Sequence, residues 1–251
     1  KRQGLYWLEE GRHSFGSGPE NDIQFPDKAV ENMGTIIRHG DSLFIETAPG
    51  VEIQVADKPA RENEVLFIAD TIQEVASFGA LRWLGIKRGK DIGVRLRDLE
   101  NPLLAQLESI PSFPTDIDWR IEARWEAYPE PKLLQLPNQV GQLIETEAVG
   151  AFHFKMDGEP YMLEPIGEAA NGEYFLMIYD ATSGEETYGS GRYMYIPEPK
   201  DGDQVVLDFN KAFNPPCVFT EYATCLFPHE TNRLPFRIEA GEKYPESWHF
   251  D

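Results

Sequence analysis

The stretch FLMIYDATSGEETYGSGRYMYIP, residues 175–197, followed by VVLDFNKAFNPPCVFTEYATCLFPHETNRL, residues 205–234, decides how the chain is read. From 174 to 180 the side chains alternate. Phe175, Met177 and Tyr179 fall on one face of an extended strand, and Leu176, Ile178 and Asp180 on the other. Thr182-Ser183-Gly184 supplies a turn, because glycine tolerates positive φ and serine bonds its own backbone. A turn role for Ser183 outweighs a nucleophilic one, since no G-x-S-x-G elbow surrounds it. A second strand over 187–196 closes at Pro197, and Asp201-Gly202 turns the chain into a third over 204–209. This pattern predicts a three-strand antiparallel meander in which Asp208 and Asn210 project side by side at a strand's end.

Working outward, residues 1–97 read as many short strands, near 5–8, 12–15, 34–38, 43–47, 51–55, 71–77, 81–87 and 92–96. Glu9-Glu10-Gly11 reads as a hairpin turn between the first two, and His39-Gly40-Asp41 and Pro49-Gly50 divide later ones. Short strands at that spacing predict a β-sandwich. Residues 98–119 form a connector, in which Asn101-Pro102 is an N-cap with proline at the first helical position and predicts a short helix over 102–109, with Leu103, Leu104 and Leu107 on one face. Trp119, Ile121, Ala123 and Trp125 then alternate as a core-facing set. The Pro-rich run 128–137 reads as a loop, followed by strands over 141–146, 150–156 and 161–165. Asp157-Gly158 is a hairpin signal between the last two. His153 is expected to face away from Phe152 and Phe154. The expected fold is all-β: a sandwich over 1–97, a helical connector over 98–119, and an antiparallel sandwich or barrel over 120–251 that carries the candidate site.

Composition narrows the function classes. With 43 acidic against 23 basic residues, the chain has a formal net charge of −20 and no cluster of Lys and Arg to neutralise phosphates, which argues against nucleic-acid binding. No apolar run reaches the roughly 20 residues of a membrane helix, and the opening KRQGLYWLEEG lacks the apolar core of a secretion signal. Two cysteines do not make a disulfide framework and read as buried thiols in a reducing, cytoplasmic setting.

Three constellations carry chemistry. Arg192, Asp208, Asn210 and Asn214, with Tyr188, Tyr193 and Tyr222, offer a cation, an acid, amides and aromatic walls for a small polar or anionic ligand, with Arg192 as anion partner. The competing structural reading makes Arg192 and Asp208 a cross-strand ion pair. A hydrolase-type alternative uses Asp208 or His229 as general base. Cys217, Cys225 and His229 form C-x7-C-x3-H, a weak metal set short of the fourth ligand that zinc wants. Nothing in the sequence requires a cofactor. A homodimer through the aromatic-rich sheet is a further structural possibility.

Two resemblances bear on these expectations. Gly16, Ser17, Asn21, Asp22 and Ile23, with Gly50, Asp57-Lys58 and Phe78-Gly79 later, resemble the rhythm of a forkhead-associated domain. That resemblance implies a sandwich that binds phosphothreonine through an Arg, a Ser and a His. Here Ser17 stands where the Arg would be, residues 30–34 offer neither Ser nor His, and Glu31 would repel a phosphate. It therefore implies an interaction scaffold without phosphothreonine recognition. Asp180-Ala-Thr-Ser-Gly184, Tyr188-Gly-Ser-Gly-Arg192 and Leu207-Asp-Phe-Asn210 through Asn214-Pro-Pro-Cys217 resemble the bacterial and archaeal domain-of-unknown-function family 1684, which implies one unit and no established activity. At Phe227-Pro228-His229-Glu230 the chain departs from the Pro-rich segment expected of that family.

Overall fold

The computed structural model describes residues 2–105, 109–246 and 248. The chain is all-β, and it divides into two compact units, Lys1–Gln106 and Leu107–Asp251.

Unit 1 contains β1 (Arg2–Trp7), β2 (Gly11–Gly16), β3 (Ile23–Gln24), β4 (Gly34–His39), β5 (Ser42–Thr47), β6 (Gln54–Val55), β7 (Lys58–Pro59), β8 (Glu64–Ile68), β9 (Ile72–Gln73), β10 (Val75–Phe78), β11 (Leu81–Arg88) and β12 (Asp91–Asp98). They form two sheets, ordered β1-β12-β11-β10-β6-β7 and β3-β2-β4-β5-β8-β9. One core fills the space between them, with Trp83, Val94 and Leu96 from the first sheet against Phe15, Ile36, Leu43 and Ile45 from the second. Gly85 is required where β11 crosses β8, because a Cβ there would lie 2.3 Å from that of Phe67. The Glu9-Glu10-Gly11 turn is not a hairpin. β1 pairs with β12 and β2 with β4, so the chain changes sheets at that point.

Within the helix expected over 102–109, the described residues Pro102–Ala105 form a 3-10 turn. Asn101 Oδ1 accepts the Leu103 amide at 2.9 Å, as the Asn-Pro pattern predicts. Residues 106–108, with Leu107, lie outside the described residues.

Unit 2 contains β13 (Arg120–Pro137), β14 (Leu143–Met156), β15 (Glu159–Leu163), β16 (Ile166–Ala170), β17 (Glu173–Ile178), β18 (Arg192–Pro197) and β19 (Gln204–Asp208). Its sheet runs β18-β17-β16-β14-β13-β19, with β15 attached to β14. The run 128–137 is not a loop but the second half of β13. Pro129 and Pro131 are tolerated because the ladder skips there, passing from Ala127↔Gly150 to Lys132↔Ala148. Asp157-Gly158 makes the expected hairpin with positive φ at both residues, 52° and 87°.

The meander is corrected in its third strand. β17 and β18 pair as expected, but β19 pairs with β13 in the register Arg120↔Asp208 to Arg124↔Gln204. Beside β18 the chain is already held by Phe213, which exchanges two backbone hydrogen bonds with Tyr193 at 2.9 Å. The turn ahead of β19 is instead hooked to β13, with Gly202 N–H donating to Trp125 O at 3.1 Å and Ala127 N–H to Asp201 Oδ1 at 3.0 Å. Both faces of β17 are covered. Leu176 and Ile178 enter a core with Trp125, Phe152 and Phe209, while Met177 enters a second with Tyr193, Cys217 and Cys225.

Candidate functional site

The residues proposed from sequence fall into separate structural clusters. Arg192 lies in the interior, 0% exposed, and its partner is Asp180 (3.1 Å), not Asp208. Its guanidinium also donates to the carbonyls of Ile238 (3.0 Å) and Ala240. Asp180 accepts in turn from Thr182 Oγ1 (2.8 Å) and Ile238 N (2.7 Å). Burial pulls the Arg192 pKa down from its ordinary value and Asp180 opposes that shift. This arginine ties residues 238–242 to β18 and is wholly buried against Asp180, which corrects its role as the anion partner of an open pocket.

Asp208 sits 3.5 Å from Arg120 Nε, and Asn210 donates to it at 3.0 Å. The predicted adjacency of Asp208 and Asn210 is therefore real, and the Arg192–Asp208 pair is not. Asn210 also brackets Asp116 through its amide (3.0 Å) and carbonyl (2.8 Å), which is a loop-bracing role. Asn214 joins Arg192 around Glu242, its amide donating to Glu242 Oε2 at 2.7 Å and its Nδ2 to Lys243 O at 2.8 Å. Tyr188 stacks on Tyr244, Tyr193 donates to Leu226 O at 2.8 Å, and the Tyr222 amide donates to Thr220 Oγ1 at 3.3 Å.

Cys217 and Cys225 are joined as a disulfide, with Cα atoms 6.2 Å apart. Their pairing corrects the free-thiol reading and removes the two sulfur ligands from the C-x7-C-x3-H set. Among the described residues no three of His, Cys, Asp and Glu gather around a point suited to a metal. It also removes the cysteine argument for a reducing compartment. No helix among the described residues is long and apolar enough to cross a membrane.

His229 belongs to a cluster that forms only in three dimensions. Glu164 follows β15 and is completely buried. Its backbone is locked to Asn232, N–H to Oδ1 at 2.8 Å and Nδ2 to the carbonyl at 2.8 Å. The Glu164 carboxylate accepts from Tyr128 Oη at 2.6 Å and from Lys132 Nζ at 3.0 Å to each oxygen. His229 Nδ1 stands 3.6 Å from Oε2, its side chain only 11% exposed, and its Nε2 is shielded with no partner. Burial pushes the Glu164 carboxyl up, but hydrogen bonds from Tyr128, Lys132 and Thr231 outweigh it and leave the pKa below its ordinary value. Burial lowers the His229 pKa below 6.5 against the attraction of Glu164. Tyr128 is raised, first by burial and then by Glu164.

A histidine held neutral in the fold but free to charge when unfolded makes the unfolded state bind more protons below pH 6.5. Stability therefore falls as pH drops from 7.5 to 5.5. His229→Asn should flatten that slope, as read from urea midpoints at the two pH values. Glu164, with its lowered pKa, adds a second loss only below the ordinary carboxylate range.

Sequence reasoning reached His229 and missed its neighbours. Tyr128 and Lys132 lay in a stretch taken for loop. Glu164, between Leu163 and Pro165, falls in the strand predicted over 161–165 with nothing in its neighbours to mark it as buried. Alternation offers no signal that joins Tyr128 and Lys132 to the Trp119–Trp125 set, because the ladder skips between Ala127 and Lys132.

In unit 1, Ser17 Oγ donates to Ala29 O at 3.0 Å and Asn21 Nδ2 to the carbonyls of Gly18 (2.9 Å) and Glu31 (2.7 Å), so the side chains of the Gly16–Ile23 turn are used to hold loops together.

Fold and site together define an all-β protein whose second unit buries a carboxylate among a tyrosine, a lysine and a histidine. The chain belongs to the family described as Protein of unknown function (DUF1684), whose model matches residues 105–243. It is similar to the solution NMR structure of an uncharacterized protein of Haloarcula marismortui, at 28% identity over 58% of this chain and 81% of that one, with a TM-score of 0.48. No curated protein matches it.

Proposed function

We propose that unit 2 binds a small polar ligand with an anionic group at the Glu164 cluster, Lys132 facing the anion and His229 Nε2 accepting a hydrogen bond. The observation that carries this reading is the shielded, unpartnered Nε2 beside a half-exposed Lys132 ammonium. A buried acceptor without a donor costs about 1–3 kcal/mol, which a ligand donor would recover. A hydrolase-type reading stands beside it, supported by Nδ1 facing Glu164. A carboxylate there favours the tautomer that leaves Nε2 bare, and a neutral imidazole at pH 7 can take a proton from water. Asp208 is the weaker base candidate, because Arg120 and Asn210 already occupy it.

Nitrogen-15 NMR tests the shared premise. His229 should carry its proton on Nδ1 and titrate below 6.5, and Glu164→Gln should weaken the tautomer preference without abolishing it, because the Glu164 backbone also hydrogen-bonds His229. An Nε2–H tautomer in the wild type removes both readings. Turnover of 4-nitrophenyl acetate or phosphate that disappears in His229→Asn would favour the enzyme. A His229 resonance shifted by acetate or phosphate without turnover would favour the binding module.

For unit 1 the reading is a forkhead-associated-like interaction scaffold without phosphothreonine recognition. What supports it is that Ser17 and Asn21 are spent on loop carbonyls. The paired cysteines favour a compartment that oxidises thiols over the cytoplasm.

A further inference from the structure

A second place in unit 2 departs from the charge of the whole molecule. β13 and β14 are paired as far as Ala123↔Phe154, and there the ladder ends. Beyond it β13 continues beside β19 and β14 beside β15, so the two strands splay. The wedge is an open cleft of about 590 Å³, within the range of small-ligand sites. Arg120, Glu122 and Arg124 line one wall, His153 and Lys155 the other, and Ile121, Phe154 and Tyr161 lie between them. Four basic residues and one acid border it, in a chain where acids outnumber Lys and Arg by 43 to 23.

The carboxylates that neutralise the arginines stand outside this lining. Asp208 is 3.5 Å from Arg120, and Glu126 is 2.7 Å from Arg124 and 3.5 Å from His153. Both arginine side chains are 50% exposed; the Arg124–Glu126 pair is exposed on both sides and contributes little, while Arg120 keeps half of its side chain open beside the more buried Asp208. Lys155 has no ion-pair partner among the described residues. Four residues of strand separate Arg120 from Arg124, about 13 Å of rise. His153 is in register with Arg124, and Lys155 lies two residues further on, toward Arg120.

We infer that this cleft binds an elongated organic anion, with a negative group toward each end and an apolar middle resting over Ile121, Phe154 and Tyr161. Cations spaced along an apolar floor do not match a compact anion such as phosphate, which would leave one end and the floor unused. The site shares no residue with the Glu164 cluster, so it stands or falls independently.

The experiment is calorimetric titration of the intact protein at low salt with sebacate, succinate and decanoate. Sebacate should bind about tenfold tighter than either of the others, because only it joins two charged ends through a methylene chain. Lys155→Gln and Arg124→Gln, both on exposed side chains, should each weaken sebacate about fivefold, with an unchanged circular dichroism spectrum. Raising the salt to 0.5 M should weaken it further. Equal affinity for succinate reduces the cleft to a point-charge site, and equal affinity for decanoate reduces it to an apolar surface. Either result overturns the inference, as does the absence of sebacate binding or its survival in both variants.

Discussion

Arg192→Ala is expected to lower stability by about 3–5 kcal/mol, enough to leave a domain of ordinary stability barely folded. Arg192 is completely buried, and its guanidinium serves Asp180 and the carbonyls of Ile238 and Ala240 at once. Truncation removes the cation and strands the Asp180 carboxylate, itself 1% exposed. It also removes the ties from β18 to the carbonyls of Ile238, Ala240 and Glu242, leaving that segment held by Ile238 N–H to Asp180 and by Glu242 to Ala212 and Asn214. Asp180→Asn combined with Arg192→Met should cost less than the sum of the single changes, since no unpaired charge remains. Urea unfolding of the three variants measures this. A loss below about 1 kcal/mol for Arg192→Ala would return the arginine to the functional role that its sequence context invites.

The second large effect belongs to Cys217 and Cys225. Opening the disulfide by Cys217→Ser with Cys225→Ser should cost about 2–3 kcal/mol, the chain-entropy value for a loop of this size. The bridge ties the Pro216–Val218 turn to the segment carrying Ala223 and Leu226, and both sulfurs lie in the core that also holds Met177 and Tyr193. Dithiothreitol should lower the melting temperature of the wild type and leave the double variant unchanged. Two titratable thiols in the freshly purified native protein would show the bridge to be absent.

Much of the all-β organisation was legible because it rests on local rules. Alternation placed most of the strands, Asp157-Gly158 gave its hairpin through the positive φ that only a few residues tolerate, and Asn101-Pro102 marked the start of a 3-10 turn. The errors arose where a local signal was read without its neighbour. Pro129 and Pro131 argue against a strand until a partner strand is available to skip past them. Glu9-Glu10-Gly11 has a hairpin's composition, yet the flanking strands have better partners in different sheets.

The candidate site divides the same way. Residue types and spacing alone determined that His153 would leave the face of its flanking phenylalanines, from a strand's period of two, that Ser183 would serve a turn, from the turn chemistry of Ser and Gly, and that Asp208 and Asn210 would be neighbours, although Asn210 stands in the 3-10 turn after β19. Only the tertiary structure decided that Arg192 answers Asp180, that the cysteines find each other, and that His229, Glu164, Tyr128 and Lys132 converge from separate segments. Those contacts depend on which strand edges are already occupied and on how charges are compensated when they are taken out of water, and neither quantity is a property of any short stretch of chain.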